Sequence, residues 1–115
     1  MAALEQLKEN AKEFWSEAQG SFDKGKWNAA ATLFYKTLTC MADFMIYERS
    51  NELPKNHTER FKILELNFDY AYRICSNLFS TYIKTYDLKV TKPEAEKIKE
   101  GVLQIVKHYK IEFIS

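Results

Sequence analysis

Polar positions along this chain recur at helical intervals. Between Trp27 and Arg49 they fall at Asn28, Thr32, Lys36, Thr39 and Asp43, a single narrow stripe with steps of three or four. Ala30, Leu33, Phe34, Leu38, Met41, Phe44, Met45 and Tyr47 fill most of the remaining circumference. A helix that is apolar nearly all round must be covered on several sides, which makes this segment the expected centre of a bundle. Its length corresponds to roughly 35 Å of helix. Lysine and aspartate interrupt the run too often for the ~20 apolar residues that a membrane span requires.

The flanking segments repeat the pattern. Leu4, Leu7, Ala11, Phe14, Ala18 and Phe22 define a first helix from about Ala3 to Lys24, with Trp15 widening its apolar stripe. Gly25 is placed to close it in a left-handed conformation. The short Gly25-Lys26 connection predicts an antiparallel hairpin with the second helix. Leu53-Pro54 prevents continuation of that second helix beyond Ser50-Asn51. Asn56 then caps a third helix, with Glu59 three positions on. This helix, His57 to Tyr86, is expected to be long and to bend. After the linker Asp87-Leu88-Lys89-Val90, Thr91 and Glu94 form a capping box for a last helix, with Pro93 in its first turn. That helix carries Ala95, Ile98, Val102, Ile105, Val106 and Tyr109 on its core face. Gly101 within it signals close packing or simple tolerance. The apolar tail IEFIS is expected to dock on the body or on a second subunit.

Composition narrows the class further. The chain has 115 residues, 46% of them hydrophobic, with 8 Phe, 7 Tyr and 2 Trp against only 3 Gly and 2 Pro. There is no Asn-Gly or Asp-Gly hairpin pair. We therefore expect an all-α fold, an antiparallel up-and-down bundle of four to five helices forming one domain over residues 1–115. The formal net charge is +1, which does not support general coating of nucleic acid. Cys40 and Cys75 lie on apolar helical faces without metal-ligand spacing and read as buried free thiols. The N-terminal MAALEQLKENAKEF carries charge from Glu5 onward and lacks an apolar signal core, so a cytoplasmic location is expected.

Candidate chemistry is sparse. The two histidines, His57 and His108, have no cysteine or serine partner at an informative spacing. No paired ligand motif suggests a metal, no glycine-rich loop suggests a phosphate cradle, and no cofactor is implied. Lys55, His57 and Arg60 gather two cations and an imidazole at a helix N-terminus, a position that attracts anions. They form a candidate site for a nucleotide-like anion. The run Phe22-Asp23-Lys24-Gly25-Lys26-Trp27-Asn28-Ala29-Ala30 is similar to the junction of one tetratricopeptide unit, but no second copy follows at about 34 residues.

Three segments together resemble the HEPN family of small helical bundles. They are Gly25-Lys26-Trp27-Asn28-Ala29-Ala30-Ala31 leading into Phe34-Tyr35, then Leu53-Pro54-Lys55-Asn56-His57-Thr58, and Tyr82-Ile83-Lys84-Thr85-Tyr86-Asp87 followed by Val90-Thr91-Lys92-Pro93-Glu94-Ala95-Glu96. The resemblance implies a bundle of four or five helices, often a homodimer. The family includes metal-independent ribonucleases, toxin components of toxin–antitoxin pairs partnered with nucleotidyltransferases, and non-catalytic members. Its ribonucleases carry Arg, four to six residues, then His. Here Arg49, Arg60 and Arg73 all lack a histidine at that spacing, and His57 misses Arg49's window by one.

The expected function is accordingly a non-catalytic HEPN-like binding or assembly module. It would be homodimeric, paired with a nucleotidyltransferase, or a binder of a nucleotide-like anion. An alternative is a metal-independent ribonuclease or toxin using Arg49 for phosphate stabilisation and His57 for proton transfer. A tetratricopeptide-like peptide-binding adaptor is a further alternative.

Overall fold

Five helices are present in the computed structural model, which describes residues 2–114. They are α1 (Ala2–Asp23), α2 (Trp27–Ser50), α3 (His57–Asn67), α4 (Asp69–Lys84) and α5 (Lys92–Tyr109), and no strand occurs among the described residues. The fold is all-α, and among the described residues no helix is long and apolar enough to cross a membrane.

α2 is the axis. At 24 residues it runs about 36 Å, close to the 38 Å long dimension of the molecule. Ala30, Ala31, Phe34, Tyr35, Leu38, Met41, Ala42 and Ile46 are all almost fully buried, and together they form one broad face covering nearly half of its circumference. The buried Thr37 hydroxyl donates back to the Leu33 carbonyl at 2.9 Å, so it leaves no polar orphan.

Ring contacts give the relative directions of the helices. Phe22 meets Trp27 edge-on at 5.1 Å and Trp15 meets Phe34 at 5.4 Å, so α1 runs antiparallel to α2. Their hairpin closes as expected. Gly25 takes φ +74°, its N–H donates to Phe22, and the Lys26 N–H donates to Ser21. These bonds satisfy the last carbonyls of α1 in a Schellman turn.

α4 also runs against α2: Tyr82 stacks on Tyr35 at 4.6 Å, and Phe68 at the other end lies beneath Arg49. α5 runs against α4, with Lys84 paired to Glu94 at its start and the Ala71 N–H donating to the Tyr109 hydroxyl at its end. The linker between them is held by Asn28. Its amide donates to the Leu88 carbonyl at 2.7 Å and accepts from the Val90 N–H at 2.8 Å, which fixes the amide orientation. Thr91 and Glu94 form the expected capping box.

One expectation needs correction. The segment 57–86 is not a single bent helix, because Phe68 (φ −139°, ψ 64°) leaves helical geometry and separates α3 from α4. No glycine or proline marks the spot. The break is set by tertiary contacts: Phe68 packs edge-on to Tyr109 at 6.0 Å, and the Tyr109 hydroxyl takes a first-turn N–H of α4 that would otherwise be an orphan.

Gly101 proves to be a close-packing position, since a Cβ there would lie 2.7 Å from Leu78 Cδ1 and 3.1 Å from Ile74 Cγ2. The tail docks on the body, with Ile111 and Ile114 buried and Phe113 edge-on to Phe44 at 5.0 Å.

Candidate functional site

Asn51 ends α2 in a left-handed conformation, and the loop from there through Pro54 leads to Asn56, which starts the new helix. The Asn56 side chain accepts from the Glu59 N–H at 2.9 Å, while the Glu59 carboxylate accepts from the Lys55 N–H at 3.0 Å. This reciprocal cap sets the phase of α3. It turns His57 and Arg60, one turn apart, toward α2 and α4, and leaves Lys55 exposed.

Arg60 does not face solvent. Its Nε donates to Asp43 Oδ1 at 2.7 Å and its Nη2 to Oδ2 at 3.0 Å, a two-point pairing across α2 and α3. The two side chains are only 12% and 15% exposed. Burial alone would lower the Arg60 pKa, but the hydrogen bonds and charge of Asp43 outweigh it and raise it. Nη1 then donates to His57 Nδ1 at 2.9 Å.

A guanidinium can only donate, so Nδ1 must present its lone pair, and the imidazole is neutral with its proton on Nε2. Burial, then the charge of Arg60, depresses the His57 pKa, with Lys36 adding to the effect and Asp43 opposing it. The His57 ring packs against Phe79 at 5.2 Å and Tyr82 at 6.1 Å. Beyond it the Tyr35 hydroxyl donates to the Cys75 carbonyl at 2.7 Å. No buried side-chain polar atom among the described residues lacks a partner.

Of the residues that sequence reasoning singled out, His57 and Arg60 are brought together. Lys55 contributes only its backbone N–H to the cap. Arg49 and His57 share no hydrogen bond, and Arg49 lies over the Phe68 ring at 5.5 Å. His108 stacks on Tyr70, with centroids 4.0 Å apart.

Both cysteines are free and buried. Burial pushes the Cys40 thiol up to about 11 and the Cys75 thiol up to about 12, so neither is a thiolate nucleophile near neutral pH. No group of three or more His, Cys, Asp or Glu side chains among the described residues could hold a metal ion.

Asp43 is the residue that pattern reading missed. It falls in register with the polar stripe of α2 and looks solvated, yet α3 covers it. The available signal was a carboxylate between Ala42 and Phe44 in a strongly apolar stretch, where charge is retained only with a partner.

Chemically the cluster is closed. Arg60 has its donors engaged by Asp43 and His57, which leaves little of it for an incoming anion. The recess of about 420 Å³ beside Phe44, Glu48 and Phe113, and the similar one beside Tyr70 and His108, are lined by none of Lys55, His57 and Arg60. Compared with family models, with curated proteins and with solved structures, the chain matches none.

Proposed function

We propose that this chain is a non-catalytic helical module of HEPN-like, up-and-down architecture that works by association, with a second copy of itself or with a protein partner such as a nucleotidyltransferase. The alternation of direction along α1, α2, α4 and α5, with α3 as a short extra helix alongside α2, supports that architecture.

The observation that carries the functional reading is a contrast between inside and outside. The cluster of Asp43, Arg60 and His57 has the ingredients of acid–base chemistry but is turned on itself, Arg60 bound to Asp43 and His57 Nδ1 bound to Arg60. Meanwhile Leu53, Leu66, Ile83, Tyr86, Leu88 and Leu103 remain exposed, Leu66 and Tyr86 by more than two thirds. A lone exposed apolar side chain is ordinary, but Ile83, Tyr86 and Leu88 lie within six positions of one another and invite cover.

Native mass spectrometry of gently purified protein, with sedimentation across the micromolar range, tests the reading. A dimer or a stoichiometric second protein is expected. A monomer with no partner, together with RNA cleavage in EDTA that His57→Ala abolishes, overturns it in favour of a nuclease.

A further inference from the structure

The outer face of α5 carries a chain of recesses. One, of about 420 Å³, lies between Tyr70, Gln104, Lys107 and His108. A second, of about 330 Å³, lies against Glu100, Leu103, Gln104 and Lys107. A third, of about 230 Å³, is bounded by Ile74, Asn77, Leu78 and Lys97 beside Gly101, and Gln104 borders it too. Together they follow α5 from Lys97 to His108, roughly 16 Å or three turns. Gly101 lets α4 approach closely, and Ile74 and Leu78 supply an apolar wall.

At the middle of this groove stands Leu103, 41% exposed. It is flanked by opposite charges, Glu100 one turn before and Lys107 one turn after, and neither forms an ion pair among the described residues. Seven positions apart on one face, the two are separated by about 10.5 Å along the helix and cannot pair with each other. Such an arrangement is self-complementary under two-fold symmetry.

We infer that a second copy of this chain packs on this face, with its α5 antiparallel to the first about a two-fold axis passing between Leu103 and Gln104. That register sets Leu103 against Gln104 of the partner copy and Glu100 against Lys107 of the partner copy, and each contact occurs twice. A slip of the axis to the level of Val102 would set Lys97 against Lys107 of the partner copy, also twice, so like charges oppose that register. The more exposed trio Ile83, Tyr86 and Leu88 borders none of these recesses and lies at the α4–α5 turn. Contact over about three turns of one helix is small beside the ~1,000 Å² that specific interfaces usually exceed, so the dimer is of the weak, reversible kind. The inference rests on the self-association half of the proposed function and specifies its surface.

Sedimentation velocity across the micromolar range, on wild type and variants of confirmed helicity, tests it. Leu103→Glu should weaken the dimer by at least about tenfold, because it places two carboxylates at the axis. Glu100→Lys and Lys107→Glu should each weaken it by about tenfold, since every swap alters two symmetric pairs. The Glu100→Lys/Lys107→Glu double variant, with the pairs restored in reverse, should return to the wild-type dissociation constant. Tyr86→Ser/Leu88→Ser should leave it unchanged. A wild-type dimer indifferent to Leu103→Glu and to the swaps overturns the α5 assignment while self-association stands. A wild type monomeric throughout overturns the assignment and the self-association half together.

Discussion

Removing the Asp43 carboxylate tests the energetic centre of the α2–α3 junction. In Asp43→Ala the guanidinium of Arg60, whose side chain is 12% exposed in the intact pair, stays charged with two of its N–H bonds gone. Breaking a buried pair by deleting one partner costs about 3–5 kcal/mol. The residual exposure of both side chains admits some water and brings the cost to the bottom of that range or just below it, about 2–3 kcal/mol. With an unfolding entropy of about 2.1 cal/mol/K per residue over 115 residues, this corresponds to a fall in Tm of about 8–12 °C. Adding Arg60→Met should recover part of the loss, because a buried cation gives way to an apolar chain. The assays are thermal and urea unfolding of the wild type, both single variants and the double, closed as a cycle. Thiol labelling supplies a local readout. Cys75, 2% exposed in the intact fold, should react faster with an aromatic disulfide in Asp43→Ala once α3 loosens. A loss below about 1 kcal/mol, or a double variant no more stable than Asp43→Ala, would refute the assignment of Asp43 and Arg60 as a desolvated pair.

Other outcomes follow from the same geometry. The folded pKa of His57 is depressed, so its contribution to stability is complete above the unfolded imidazole value of about 6.5 and is lost as pH falls from there toward the folded value. Urea midpoints should therefore decline between about pH 7 and 5, and His57→Phe should flatten that decline. Lys110 closes α5 at φ +55°, a left-handed conformation that costs a residue with a Cβ about 1 kcal/mol. Lys110→Gly should raise Tm by about 4 °C; no rise would mean that the docked tail dictates the turn. Gly101→Ala should forfeit the ~1 kcal/mol usually gained in a helix interior and destabilise slightly, because its Cβ meets the stiff, branched Ile74 as well as Leu78. Restoration of that gain in Gly101→Ala/Leu78→Ala would locate the clash.

Local rules were legible in the sequence and long-range ones were not. Gly25, Asn56 with Glu59, and Thr91 with Glu94 each act within a turn or two, so their residue types alone announce the helix ends they make. The break at Phe68 has no such marker. It depends on Tyr109, forty-one positions away, and the uninterrupted periodicity of residues 57–86 conceals it. Asn28 and Asp43 share a polar stripe that reads as solvated, yet one binds the α4–α5 linker and the other holds α3. The pattern correctly marks these positions as polar. Whether water or another helix satisfies them is a property of the tertiary path, above all of the loop after Asn51 that carries His57 back beside Phe79 and Tyr82.

The same path bears on the nuclease alternative. Phosphate stabilisation needs a cation with free donors aimed at the scissile group, and proton transfer needs an imidazole whose accepting nitrogen is open. Arg49 stands over Phe68 and shares no hydrogen bond with His57, whose Nδ1 is taken by Arg60. For Arg60 to serve instead, its two bonds to Asp43 would have to break in a site where an unpaired carboxylate is itself costly. An incoming phosphate would also meet the negative charge of Asp43 at the place it must bind. The carboxylate thus occupies the ligand position that a catalytic arginine would have to keep open. Asp43→Asn, which retains the shape and removes that charge, should therefore be the variant most able to gain anion affinity. If inorganic sulfate raises the Tm of Asp43→Asn but not of wild type, Asp43 is the group that closes the site; equal stabilisation of both would place anion binding elsewhere on the surface.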